Sequence, residues 1–99
     1  MHILAVNTLG ETLDVPDAKQ AIPHPHLLGD ALTRIGFNYD TPVFIAERLA
    51  READIQMRHS ASDLAADPIA QNIKALHDVA VAGAKHGAHE IRLTSRGSK

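Results

Sequence analysis

The 99 residues, 44% hydrophobic and 22% charged, form one domain of ordinary globular composition, which excludes wholesale disorder. Cysteine is absent; that excludes disulfides, zinc–thiolate sites and thiol catalysis, and in so small a domain points to the cytoplasm. A formal net charge of −2 supplies no basic field for sequence-independent nucleic-acid binding, and no apolar run approaches the ~20 residues of a membrane helix.

Residues 2–7 contain the apolar run Ile3-Leu4-Ala5-Val6, the pattern of a strand buried on both faces. A turn at Thr8-Leu9-Gly10-Glu11 leads into residues 12–15, where Leu13 and Val15 share one face before Pro16 stops the ladder. The two segments read as a hairpin. Residues 17–26 hold Pro23 and Pro25 and read as an irregular connection.

From His26 the period becomes helical, with Leu28, Leu32 and Ile35 on one face. Gly36 suits the left-handed residue after the helix, with Phe37 folding back onto Leu32 in a Schellman ending. Thr41-Pro42 resembles an N-cap followed by a first-turn proline. A second helix is therefore expected from there to about Met57, with Ala46, Leu49, Ala50, Ala53 and Met57 as its apolar stripe. Its other face offers Glu47–Arg51, Arg48–Glu52 and Asp54–Arg58 as opposite charges four residues apart, the arrangement of a solvated helix face.

Asp67-Pro68 repeats the cap signal and opens a third helix, in which Ile69, Ile73, Leu76, Ala80, Gly83 and Gly87 recur at helical spacing. The stripe shrinks to Ala and Gly, so that end of the helix should approach a sheet or another helix closely. Residues 90–94 alternate as a half-exposed strand, and residues 95–99 form a basic tail expected to fray. The expected fold is α+β: a small, mostly antiparallel three-stranded sheet with three helices on one face, in the order β-β-α-α-α-β.

Chemistry-bearing motifs are weak. Among seven histidines, His24 with His26 and His86 with His89 have ligand-like spacing, yet neither pair matches a specific metal motif. Surface histidines account for them, and no metal or other cofactor is expected. His59, Ser60, Ser62 and Asp63 lie together in sequence, which suits a helix cap better than a catalytic triad. Residues 28–51 carry a faint helix-turn-helix outline in which Thr41, Arg48 and Arg51 would meet DNA. The first turn of its second helix is apolar where base-edge hydrogen bonding is wanted.

That same turn favours a protein partner. Val43, Phe44 and Ile45 are consecutive, and one helix face cannot bury all three. With Phe37 and Tyr39 nearby, every phenylalanine and tyrosine falls within residues 37–44, and aromatics are favoured interface anchors. The function expected is a non-catalytic binding or regulatory protein using Tyr39, Val43, Phe44 and Ile45, either on a partner or in a homodimer. A DNA-binding protein is the alternative, and a histidine-based metal-binding protein a further one.

Overall fold

A computed structural model describes residues 1–38, 40–60 and 65–94. Its elements are β1 (His2–Val6), β2 (Thr12–Leu13), a 3₁₀ turn at Pro25–Leu27, α1 (Leu28–Arg34), β3 (Val43–Ile45), α2 (Ala46–Ser60), α3 (Pro68–Lys85) and β4 (Glu90–Thr94). The α+β class stands, and two details differ from expectation. Among the described residues the antiparallel sheet has four strands, in the order β2-β1-β4-β3, and the chain order is β-β-α-β-α-α-β.

The extra strand is Val43–Ile45, where the opening of a helix was expected. Three consecutive apolar residues cannot share a helix face, but strand alternation sorts them: Phe44 turns inward and is buried, while Val43 and Ile45 turn outward. Pro42 immediately precedes the strand, and its carbonyl accepts from Leu93 N–H at 2.8 Å. Helix α2 starts only at Ala46, whose N–H is satisfied by the His89 carbonyl at 2.9 Å and needs no Thr41 cap.

The sheet register aligns Leu13, Ala5, Ile91 and Phe44 in one row across all four strands. Ala5, Ile91 and Phe44 are buried in the core shared with the helices, and Leu13 packs against it. A neighbouring row, Thr12, Val6, Glu90 and Ile45, has the opposite facing, as does Leu4, Arg92 and Val43. On this second face Val6, flanked by strands on both sides, is buried, Leu4 is half-buried, and Arg92, Val43 and Ile45 are exposed.

Helix α3 behaves as its sequence predicts. Asp67 caps it, the carboxylate accepting from Ile69 N–H at 3.0 Å. Ile73, Leu76, Ala80 and Gly83 are all buried, and a Cβ built on Gly83 would stand 3.0 Å from the Ala5 Cβ. A side chain at this position would fit only if β1 or α3 gave way by a few tenths of an ångström. Gly87 does not extend the stripe. It is the left-handed residue of the helix ending, at φ +91°, with Ala88 N–H bonded to the Gly83 carbonyl and Gly87 N–H to that of Ala84. The same ending closes α1 as expected: Gly36 has φ +83°, Phe37 N–H reaches the Leu32 carbonyl at 2.9 Å, and Gly36 N–H reaches that of Thr33 at 3.0 Å.

The connection between β2 and α1 is more ordered than its prolines suggest. Ala21 bridges to His2, Ile3 N–H bonds the Gln20 carbonyl, and Ile22 N–H bonds that of Met1. Asn72 of α3, fully buried, accepts from the His24 backbone N–H at 2.9 Å and donates to the His24 carbonyl at 2.8 Å. A side chain thus supplies to this segment the pair of bonds that a strand would supply.

Candidate partner-binding edge

The residues expected to contact a partner lie at one edge of the sheet. Among the described residues strand β3 pairs only with β4, in the register Val43↔Arg92, Phe44↔Ile91, Ile45↔Glu90. Bonds from Leu93 N–H to the Pro42 carbonyl and from Ala46 N–H to the His89 carbonyl mark residues 42, 44 and 46 as the ones bonded to β4. In an antiparallel ladder the alternate residues point their backbone groups the other way. The N–H and C=O of Val43 and the N–H of Ile45 therefore face the open edge. The side chains of the same two residues, 37% and 44% exposed, stand beside them.

Phe44 was expected among the exposed contacts and is corrected. It is 4% exposed and packs edge-on against Phe37, ring centres 5.2 Å apart. Tyr39 lies outside the described residues, as do Ser62 and Asp63 of the serine–histidine segment. The groove beside β3, about 380 Å³, is lined by Phe37, Thr41, Val43, Phe44, Ile45 and Arg48 among others. A second hollow of about 420 Å³ continues past Ile45 along α2 and is lined by Glu47, Arg48, Arg51, Ala84, Ala88 and His89.

The helix-turn-helix outline does not form. A strand separates α1 from α2, so Thr41 and Arg51 do not share a recognition helix. Of the three charge pairs expected on α2, only Asp54–Arg58 closes, at 3.0 Å. Arg48 instead lies over the Phe37 ring, 5.1 Å from its centre, where the cation meets the ring's negative face. Among the described residues no carboxylate comes within ion-pair distance of Arg48 or Arg51.

Of the histidine pairs, His24 and His26 stay together, while His86 and His89 have unrelated contacts. His24 Nε2 is 2.6 Å from Gln71 Oε1, and its ring meets that of His26 edge-on with centres 6.3 Å apart. His86 Nε2 lies 3.5 Å from Asp17 Oδ2, and His89 lines the second hollow. Among the described residues no three His, Asp or Glu side chains converge on a metal-sized point.

Two further polar centres escaped the sequence reading. His77 of α3 sits between Asp78, 3.1 Å from Nδ1, and Asp54 of α2, 3.9 Å from Nε2. Burial works to raise the Asp78 carboxyl, but hydrogen bonds from Lys74 and His77 prevail and hold it below the usual carboxylate value. Arg34, at the end of α1, donates to Asp67 at 2.9 Å, and that bond foremost lowers the Asp67 carboxyl. Arg34–Asp67 was invisible in the sequence because its partners lie 33 residues apart. Comparison with known protein families, curated proteins and solved structures finds no match to the chain. Among the described residues no helix is long and apolar enough to cross a membrane.

Proposed function

We propose that the chain is a non-catalytic binding or regulatory protein that engages a protein partner along the open edge of β3. One observation carries this reading: Val43 and Ile45 present apolar side chains and outward-facing backbone groups at the same edge. Unpaired edges are templates for another strand, and natural domains usually blunt them with charge, proline or a covering element. Here Pro42 precedes the strand, but Val43 and Ile45 themselves are left apolar and uncovered. Strand addition takes main-chain hydrogen bonds from such an edge and specificity from the pockets beside it. The absence of cysteine suits a cytoplasmic setting.

The test is a selection of displayed twelve-residue peptides on the purified protein. Selected peptides are expected to lose binding to Val43→Pro, which deletes one edge N–H while leaving the β4 ladder intact, and to Ile45→Lys. Both variants should keep the wild-type circular dichroism spectrum. Peptides that bind the two variants as tightly as the wild type would place the binding surface elsewhere. A homodimer through the same edge is the second form of this reading. Light scattering would show it as a dimer that Ile45→Lys converts to a monomer.

A further inference from the structure

We infer that the occupant of the β3 edge is an acidic strand, an extended peptide segment with carboxylates at alternate positions; this rests on the binding edge proposed above. The groove beside β3 is walled on its helix side by Arg48, and the hollow that continues from it by Arg48 and Arg51. Neither guanidinium is paired with a carboxylate among the described residues, although Glu47 and Glu52 lie at the right spacing on the same helix. Among the described residues Glu47 is the one carboxylate lining either space, set against the two arginines and His89.

A strand added to β3 alternates its side chains between the two faces of the sheet. On one face they meet Val43 and Ile45, which favour β-branched or other apolar groups. On the other they point towards α2, where carboxylates can take charge-assisted, two-pronged hydrogen bonds from the arginines. The pattern that fits is apolar and acidic residues in strict alternation.

The same charges disfavour a second copy in this place. Val43 and Ile45 are the outward-bonding residues, so two β3 edges pairing antiparallel would be centred on Phe44 with Val43 opposite the partner's Ile45. Both copies of Arg48 would then border one shared groove. An acidic strand relieves that repulsion and a second copy adds to it.

The probes are three capped heptapeptides that alternate valine with glutamate, with glutamine or with lysine. Amide shifts of Val43 and Ile45 in NMR titrations report where and how tightly each binds. The glutamate peptide should bind at least ~10-fold more tightly than the glutamine one, and the lysine peptide more weakly than either. High salt should narrow the gap, because it screens exposed charges. The double variant Arg48→Gln, Arg51→Gln should remove it, while the glutamine peptide binds that variant as it binds the wild type.

Equal binding of the glutamate and glutamine peptides at Val43 and Ile45 would overturn the acidic preference and leave strand addition standing. Failure of all three peptides to shift those amides would overturn the inference, and the display selection then decides separately whether the edge binds anything. A dimer by light scattering, broken by Ile45→Lys and undisturbed by the glutamate peptide, would identify a second copy as the occupant and also overturn it.

Discussion

Strands β1 and β3 both carry short apolar runs, Ile3-Leu4-Ala5-Val6 and Val43-Phe44-Ile45, yet β1 has neighbours on both sides and β3 on one. In β1 the row facing the helices is fully buried at Ile3 and Ala5, Val6 on the other face is buried too, and the His2–Ala21 bridge and the Ile3–Gln20 bond extend the pairing beyond β2. In β3 only Phe44 is buried. A run of apolar residues therefore says that a strand exists, while its position in the sheet decides how many of its residues are core. The contrast assigns stability to β1 and the row through Phe44, and leaves Val43 and Ile45 exposed for the recognition proposed above.

The most severe test of that division is Phe44→Glu. The change puts an unpaired carboxylate against Phe37, Ile91 and the core, at a cost of several kcal/mol against a total stability of about 5–15 kcal/mol. Circular dichroism should show an unfolded chain, and a folded variant would mean that β3 contributes nothing to the core. Next comes Gly83→Val, which drives a branched side chain into Ala5 of β1. Overpacking of this kind costs about 1–3 kcal/mol, and urea denaturation should show the midpoint falling. An unchanged midpoint would mean that α3 does not rest on β1 through this glycine.

Asn72→Ala removes both bonds to the His24 backbone and leaves its part-buried N–H and C=O unpaired, for up to about 1–3 kcal/mol. Faster hydrogen exchange should then appear at His24 and at Ile22, next to β1, before it appears at β3. The acid response is smaller. The Arg34 bond to Asp67, and the Lys74 and His77 bonds to Asp78, hold both carboxyls below the usual carboxylate value in the folded chain. Their contributions are therefore complete above the unfolded value of about 4 and are lost as pH falls through the lower folded values. Asp67→Asn should flatten that acid dependence, and a melting series in decreasing pH measures it. Smallest of all is Ile45→Lys, expected to alter stability by less than about 0.5 kcal/mol, as exposed positions do. A loss as large as that of Asn72→Ala would show that Ile45 is not a free surface residue.

Legibility followed the range of the interactions. Helix α3 could be read because its cap, its period and its small-residue end all lie within one segment. The ending of α1 was equally local, with Leu32, Thr33, Gly36 and Phe37 inside six residues. Strand β3 was missed because Thr41-Pro42 imitates a helix start, and the evidence against it, a ladder to residues 90–93, lies elsewhere in the chain. Asn72 looked like an ordinary polar helix residue because its partner is 48 residues away. At the β3 edge, counting apolar residues said that Val43, Phe44 and Ile45 cannot all be buried, without saying which of them faces outwards. The burial of Phe44 did not follow, because the count assumed helical geometry. Arg48 and Arg51 were read as half of two ion pairs, yet among the described residues neither meets a carboxylate, and Arg48 lies over the Phe37 ring instead.

The pairing of β1 with β4 bears on how the chain reaches its fold. His2 lies opposite Thr94 and Val6 opposite Glu90, so the two central strands of the sheet come from segments about as far apart in sequence as the described residues permit. Contacts of such separation incur loop-closure entropy before they return any stability, and they slow folding relative to a helical chain of the same size. Helices α1 and α3 carry local signals and can form early. The sheet cannot close until residues 90–94 have been synthesised, because β4 alone joins β3 to β1. Until then Ala5 and Phe44 lack Ile91, the residue paired with both, and the nascent chain carries two separate apolar strands exposed to any other chain nearby.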